Sequence, residues 1–363
     1  MKPTLEVLNN KLTFSVSADS SKDKLIENLM NLGLTSYEAK SYLALAKYGE
    51  LTSTDLVKLT GIPQSRIYDV VSSLQRKGLV WVQSGRPMKF RAVEPSIAIK
   101  QLVEKVTKGS QELIDEISKY SLERKVIEPS LWIVRGKKSI EKWIGKSIAE
   151  SKKEILFAAP SYLMEAMYQT LFESYERRNV SLTLVIYPGE RHEELTRKLM
   201  KIANIRIREI VGPYILISDN KRCIIGSTLF LNSEDCYADI VEMEDELLYT
   251  LAYFFNQSLF ITAKSIEPIF VPVKKMTFLN IWSAIEIMKN ILSVGRIPYA
   301  RVLGKNIRTS ESVQVEGKVV STNVVPGLIY SFILEDSSGK QVTVGGIRAT
   351  LEEVEAREIS VWT

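Results

Sequence analysis

Residues 60–80, TGIPQSRIYDVVSSLQRKGLV, put a proline, an arginine and a tyrosine at the front of a segment with helical apolar spacing. Ile67, Val70, Val71 and Leu74 recur at the three- and four-residue intervals of one helix face. Gln64, Ser65, Arg66, Tyr68, Asp69, Ser72 and Gln75 fall on the other face. Pro63 suits the first helical position, where a backbone N–H has no intrahelical partner. Upstream, TSTDLVKLTG (52–61) predicts a two-turn helix capped by Thr52 and Asp55, with Leu56 and Leu59 inward and Gly61 as its stop. LTSYEAKSYLALAKYG (34–49) repeats the grammar with Thr35, Glu38 and Gly49, and sets Tyr42, Leu43 and Ala46 on one face. A short helix, a tight turn and a second helix led by hydrogen-bonding side chains predict a helix-turn-helix. Gln and Arg suit adenine and guanine edges in a major groove.

After Gly78, LVWVQ and KFRAV read as two short strands joined by SGRPM, a β-wing. Arg86 and Lys89, at or near its tip, are placed to reach phosphate or the minor groove. The charge distribution agrees. The net charge is +5, and residues 1–125 hold 19 Lys/Arg against 14 Asp/Glu, so the whole excess lies in the first third. Between Lys58 and Arg91 there are seven basic residues and one acid, Asp69. A field of one sign attracts phosphates.

Residues 95–125 carry Ile99, Leu102, Val106, Leu113 and Tyr120 close to a 3-4 repeat, with Gly109 and Glu116 also on the seam. This spacing predicts a dimerising coiled coil; a helix folded back on its own domain is the alternative. Two heads on a two-fold seam would contact the half-sites of a palindrome about one helical turn apart.

From residue 131 apolar strands alternate with amphipathic helices as far as YPGERHEE, which predicts βαβ units and a mainly parallel sheet. MEDELLYTLAYFFNQSLF (243–260) reads as a helix, as does 278–294. ARVLG, ESVQVEGKVVS, LIYSFILED and QVTVGG then read as a small antiparallel β domain beginning near residue 275.

The chemistry is sparse. His192 is the single histidine, and the two cysteines, Cys223 and Cys236, lack metal-ligand spacing. No phosphate-binding loop or dinucleotide motif occurs, so no catalytic residue, metal or cofactor is expected. Glu335/Asp336 and Glu352/Glu353 are adjacent pairs, and adjacent strand residues point to opposite faces, so neither forms a dyad alone. VGGIRATLEE (344–353) instead suits polyol binding: Gly345 and Gly346 allow close backbone approach, and Glu352 is a charged acceptor. No segment reaches the roughly 20 apolar residues of a membrane span, and the first 24 residues lack a secretory pattern, so a cytoplasmic protein with no membrane partner is expected.

With these residues in view, the chain resembles the archaeal sugar-sensing transcriptional regulators of the TrmB family. LGLTSYEAKSYLALAKYGELTSTDLVKLTGIPQSRIYDVVSSLQRKGLV, VEGKVV and VTVGGIRATLEEVEAREI carry the likeness. The resemblance implies an α+β multidomain protein: a winged helix-turn-helix over 22–94 and a coiled-coil linker over 95–127. An α/β effector domain of phospholipase D-like fold over 128–275 and a β-rich part of the sugar-binding domain over 276–363 would follow. The enzymes of that fold need an HxK motif, whereas Glu193 and Glu194 follow His192. The family's sugar site falls on Gly346 and Glu352, with Tyr330 where relatives have asparagine and Ser258 where they have serine. The implied partners are double-stranded promoter DNA, a second copy of the chain and a small sugar such as glucose or a maltose-type disaccharide. A carbohydrate-metabolising enzyme with a fused DNA-binding head is the rival reading, and a second half that only dimerises is a third.

Overall fold

The computed structural model describes residues 16–121, 130–190, 192–229, 231–233, 235–242 and 246–363, so the expectations for the first 15 residues and for 122–129 lie outside the described residues. The chain forms two units, residues 1–125 and 126–363.

In the first unit, α1 (Val16–Asn31), α2 (Ser36–Tyr48), α3 (Ser53–Thr60) and α4 (Gln64–Arg76) enclose a core that includes Leu45, Leu56, Ile67 and Leu74, each at most 1% exposed. Side chains of this size each contribute about 1.5–3 kcal/mol on burial. Both capping boxes form: Thr35 with Glu38 and Thr52 with Asp55. In α2 the buried face runs through Glu38, Tyr42 and Leu45, so Ala46, expected inward, is exposed. The wing strands β2 (Val80–Gln83) and β3 (Lys89–Ala92) are joined by a third, β1 (Leu51–Thr52), paired to β3. Tyr42 Oη locks α2 to the wing by donating to Val93 O at 3.0 Å.

One ion pair organises this unit. Lys77 Nζ donates to Glu38 Oε2 at 2.7 Å and to Gly33 O at 3.0 Å, while Glu38 Oε2 also accepts from Thr35 N. Lys89 likewise meets Glu50 at 3.5 Å. Lys77 is thus held by an acid from outside the 58–91 window, whereas the open Lys89–Glu50 pair leaves Lys89 accessible, and the basic field is somewhat weaker than sequence counting implies.

Helix α5 (Pro95–Ser121) roots in this core through Ala98 and Leu102, at 1% and 6% exposure. Leu102 therefore leaves the expected seam. Ile99, Val103, Val106, Leu113 and Ile117 stay exposed and follow a 4-3 alternation through Ser110, one register step from the sequence expectation. The side chain of Tyr120 lies outside the described residues.

The second unit holds two sheets. The first has β4 (Ser130–Arg135), β5 (Glu154–Pro160), β6 (Ser181–Tyr187), β7 (Asn204–Ile207), β8 (Tyr214–Ser218), β9 (Arg222–Gly226), β10 (Tyr237–Glu242) and β11 (Lys264–Ser265) in the order β11-β7-β6-β5-β8-β9-β10-β4. Only β5/β6 and β6/β7 are parallel, so the sheet is mixed rather than mainly parallel. The parallel pairs are those connected by helices α7 (Ser161–Arg178) and α8 (His192–Leu199); the hairpins that follow must run antiparallel. Helix α6 (Lys137–Glu150) packs beside α7.

The second sheet has β12 (Met276–Phe278), β13 (Tyr299–Asn306), β14 (Ser312–Val325), β15 (Ile329–Glu335), β16 (Gln341–Gly345) and β17 (Val354–Trp362). Its neighbours are antiparallel except that β16 also pairs with β17 in parallel, which closes β13 to β17 into a small barrel. Helix α9 (Glu246–Phe254) runs into a π-helical turn, Phe255–Phe260, and α10 (Ile281–Ser293) packs into the barrel core through Ala284, Ile285 and Met288. The hydrophobic core is continuous across residue 275, with Ile144, Leu184, Ile285 and Val361 in one cluster. Among the described residues, no helix is long and apolar enough to cross a membrane.

Burial raises the Glu38 pKa, but hydrogen bonds from Lys77, Ser73 and Thr35 outweigh it and hold the carboxyl below the ordinary 4.5. A lowered folded-state pKa contributes stability above the unfolded value that is lost as pH falls. Glu38→Ala should destabilise the first unit by about 2–4 kcal/mol in urea melts at pH 7, because it strands Lys77 and removes half a capping box. The penalty should shrink as pH drops through 4.5.

Candidate nucleic-acid and ligand sites

Gly61 ends α3 at φ 70, a left-handed conformation that a residue with a Cβ resists, and so turns the chain into α4. Ile67, Val70, Val71 and Leu74 are buried, while Gln64, Ser65, Arg66, Asp69, Ser72 and Gln75 are exposed. Pro63 is the N-cap, one residue before the expected position, and supplies no side-chain cap. The first N–H groups of α4 and the positive end of its dipole therefore stand beside Gln64, Ser65 and Arg66. Tyr68 is exposed, but its hydroxyl donates to Ser53 Oγ at 3.3 Å and braces α4 on α3. Arg86 lies in the exposed wing loop, whereas Lys89 is the first residue of β3, opposite Gln83. The pattern reading passes over Trp81 and Arg91, cross-strand partners exposed on the wing, because alternation alone does not single them out.

In the second unit Gly345 and Gly346 close β16 and meet different partners. Ser331 pairs with Gly345 at the end of the β15/β16 ladder, and Tyr330 and Gly346 flank that last pair in sequence. A Cβ on Gly345 would lie 2.8 Å from Glu352 Cδ, and one on Gly346 would lie 2.6 Å from Ile281 Cγ2. The close approach that the glycines permit is therefore to the protein's own Glu352 and Ile281. Glu353 turns the other way and accepts from Thr343 N at 3.0 Å.

Ser258 is not the helix residue that meets Tyr330. Gln257 is: its Oε1 accepts from Tyr330 Oη at 3.1 Å and from Gly327 N at 3.2 Å. Ser258 is exposed, and its carbonyl accepts from Thr262. The π-turn adds a residue to the helical repeat here, which a count at 3.6 residues per turn does not register. Around Tyr330 stands an aromatic group that the sequence pattern does not isolate. Trp282 lies 6.4 Å from Tyr330, 5.8 Å from Tyr249 and 5.9 Å from Tyr253, centroid to centroid. A neighbouring cleft of about 910 Å³ is lined by Tyr249, Leu279, Ile347, Arg348, Asn220 and Lys152, among others. Aromatic faces with a few convergent polar groups are the composition of a sugar-sized ligand site.

A buried carboxylate sets this geometry. Glu154, at the start of β5, accepts from Leu279 N at 2.9 Å, Asn280 N at 3.0 Å and Asn280 Nδ2 at 2.8 Å, and so pins the entrance to α10 just before Ile281 and Trp282. Complete burial pushes its pKa up to about 7 against the opposing pull of those hydrogen bonds. His192 Nδ1 lies 2.7 Å from Gly189 O, and Cys223 and Cys236 are buried and unbridged.

Three sequence models match along the chain. "Sugar-specific transcriptional regulator TrmB" covers residues 29–96, the N-terminal subdomain of the TrmB effector-binding domain covers 130–267, and the TrmB/TrmBL1 C-terminal subdomain covers 273–363. The chain belongs to the TrmB family. The HTH-type sugar sensing transcriptional regulator TrmBL1 of Pyrococcus furiosus is 26% identical over 349 residues, covering 92% of this chain and 97% of that protein. The DNA-binding HTH-type transcriptional repressor TrmBL2 of Thermococcus kodakarensis is 32% identical over 162 residues, 39% of this chain and 59% of that one. A solved structure of TrmBL2, an archaeal chromatin protein, is 20% identical and covers 68% of this chain and all of its own, with a TM-score of 0.38. A score that low carries nothing over to individual residues.

Gly346→Ala should displace Ile281 and cost the second unit about 1–3 kcal/mol in urea denaturation, with the first unit's transition unchanged. An unshifted second transition would show that the first turn of α10 yields freely.

Proposed function

We propose that this TrmB-family chain is a dimeric, sequence-specific regulator of transcription, not an enzyme, whose hold on a palindromic promoter element is set by a small sugar. Glucose and maltose-type disaccharides are the first candidates, and genes of sugar uptake or metabolism the natural targets. The observation that carries this reading is α4: four apolar residues buried, and Gln64, Ser65 and Arg66 exposed at its uncapped N-terminus. In the binding mode proposed, Arg66 and Gln64 read base edges, Ser65 and Asp69 flank them, and Tyr68 supports the helix. Arg86 and Lys89 hold the phosphate backbone.

Dimerisation is assigned to α5, whose exposed Ile99, Val103, Val106, Leu113 and Ile117 form a stripe that a second copy would cover as a coiled coil. The division expected from the sequence follows the same logic: a reading head to residue 94, a pairing linker to 127, an α/β effector domain to 275 and a β-rich sugar-binding part beyond. The mixed sheet suits a phospholipase D-like scaffold without its chemistry, since glutamates follow His192. Sugar is proposed to lie against Tyr330, Gly346 and Glu352, with Trp282 as the ring-stacking face and Gln257 in the place given to Ser258. A cytoplasmic location fits a DNA-binding regulator.

A tenfold change in DNA affinity requires about 1.4 kcal/mol of coupling between sugar and head. Arg66→Ala should weaken operator binding by about 1–3 kcal/mol in gel-shift titrations, with sugar binding intact. Glu352→Ala should leave DNA affinity unchanged and abolish its response to sugar; a normal response would remove Glu352 from the site.

A further inference from the structure

Arg348 occupies a backbone conformation that its side chain does not favour. Among the described residues other than glycine, positive φ occurs at Asn179, Asp219, Asn220, Ser310 and Arg348. Asn and Asp tolerate this region because their short side chains bond to the local backbone; arginine has no such help at φ 69. A glycine would be free of strain there. The contacts in the structure do not account for the strain. The guanidinium pairs with Glu246 and lies 4.6 Å from the Tyr249 ring centroid, yet the two charged side chains are 51% and 77% exposed. An ion pair that open contributes little and breaks readily.

Its position is informative. Arg348 stands two residues after Gly346 and four before Glu352, in a turn closed by Ala349 N donating to Gly346 O at 3.0 Å. It lines the same cleft as Tyr249 and Ile347. Backbone strain of this kind gathers at binding loops, where it holds a side chain ready for a ligand. The guanidinium offers five N–H donors and no acceptor, the complement of Glu352, which accepts only. A neutral polyol with neighbouring hydroxyls needs both.

We infer that Arg348 is a strap on the carbohydrate site: a bound sugar draws its guanidinium off Glu246 onto sugar hydroxyls, and the 346–352 loop closes over the ligand. The inference rests on the sugar-sensing reading above. Glu246 then competes with the sugar for Arg348, which gives the two residues opposite effects.

The test uses full-length protein, isothermal titration with glucose and with maltose, and thermal melts of the wild type, Arg348→Gly, Glu246→Gln and the double variant. Arg348→Gly should melt at or above the wild-type temperature, since it relieves strain, and should lose at least about tenfold in affinity for whichever sugar the wild type binds. Glu246→Gln should bind that sugar roughly two- to fivefold more tightly. The double variant should match Arg348→Gly, because Glu246 acts only through the arginine. Equal affinity in Arg348→Gly overturns the strap. So does a lowered melting temperature in that variant, or weaker binding in Glu246→Gln; either makes Arg348 a static brace. A wild type that binds neither sugar defeats the sensing proposal itself, an outcome distinct from these.

Discussion

The Glu154 carboxylate is the constraint on which the second unit turns. It is buried and is held by neutral donors of Leu279, Asn280 and Ser283, with no cation among the described groups acting on it. Removing a carboxylate from water is costly, and hydrogen bonds from a helix entrance are among the few arrangements that offset it. The same bonds fix where α10 begins. Ile281 then falls against Gly346 and Trp282 among three tyrosines, so the geometry of the proposed sugar site depends on a residue far from it in sequence and absent from its surface.

Both units use a buried acid as a hub, with different partners. Glu38 is satisfied by an ammonium group and by its own capping box, and its pKa falls. Glu154 meets only neutral donors, and its pKa rises. The head is thereby tied by charge across helices distant in sequence, whereas the effector unit is tied by backbone amides. Neither glutamate reaches a proposed ligand directly.

What was legible in the sequence was local. Capping boxes span four residues and α4 thirteen, so Thr35, Glu38, Thr52, Asp55 and the two faces of α4 could be read from spacing alone. Contacts between distant segments could not. Nothing near Lys77 announces that Glu38 consumes its charge, and a heptad count has no means of knowing that Leu102 is claimed by the head's core. Strand direction in the mixed sheet and the parallel closure of β16 on β17 depend on how connections cross, which alternation does not encode. Of the residues proposed for sugar, Glu352 packs against Gly345, while Gly346 meets Ile281 and Tyr330 meets Trp282 and Gln257. Gln257 and Trp282 were missed, one behind a π-turn and the other on a helix that reads as core.

The burial of Ala98 and Leu102 makes the root of α5 part of the head rather than a hinge beside it. At 1.5 Å per residue, the 27 residues of that helix form a rod of about 40 Å. In the dimeric arrangement proposed above, turning that rod about its axis would carry α4 with it, so the angle of one long shaft, rather than deformation of the head, would set how two copies of α4 meet the pitch of a duplex.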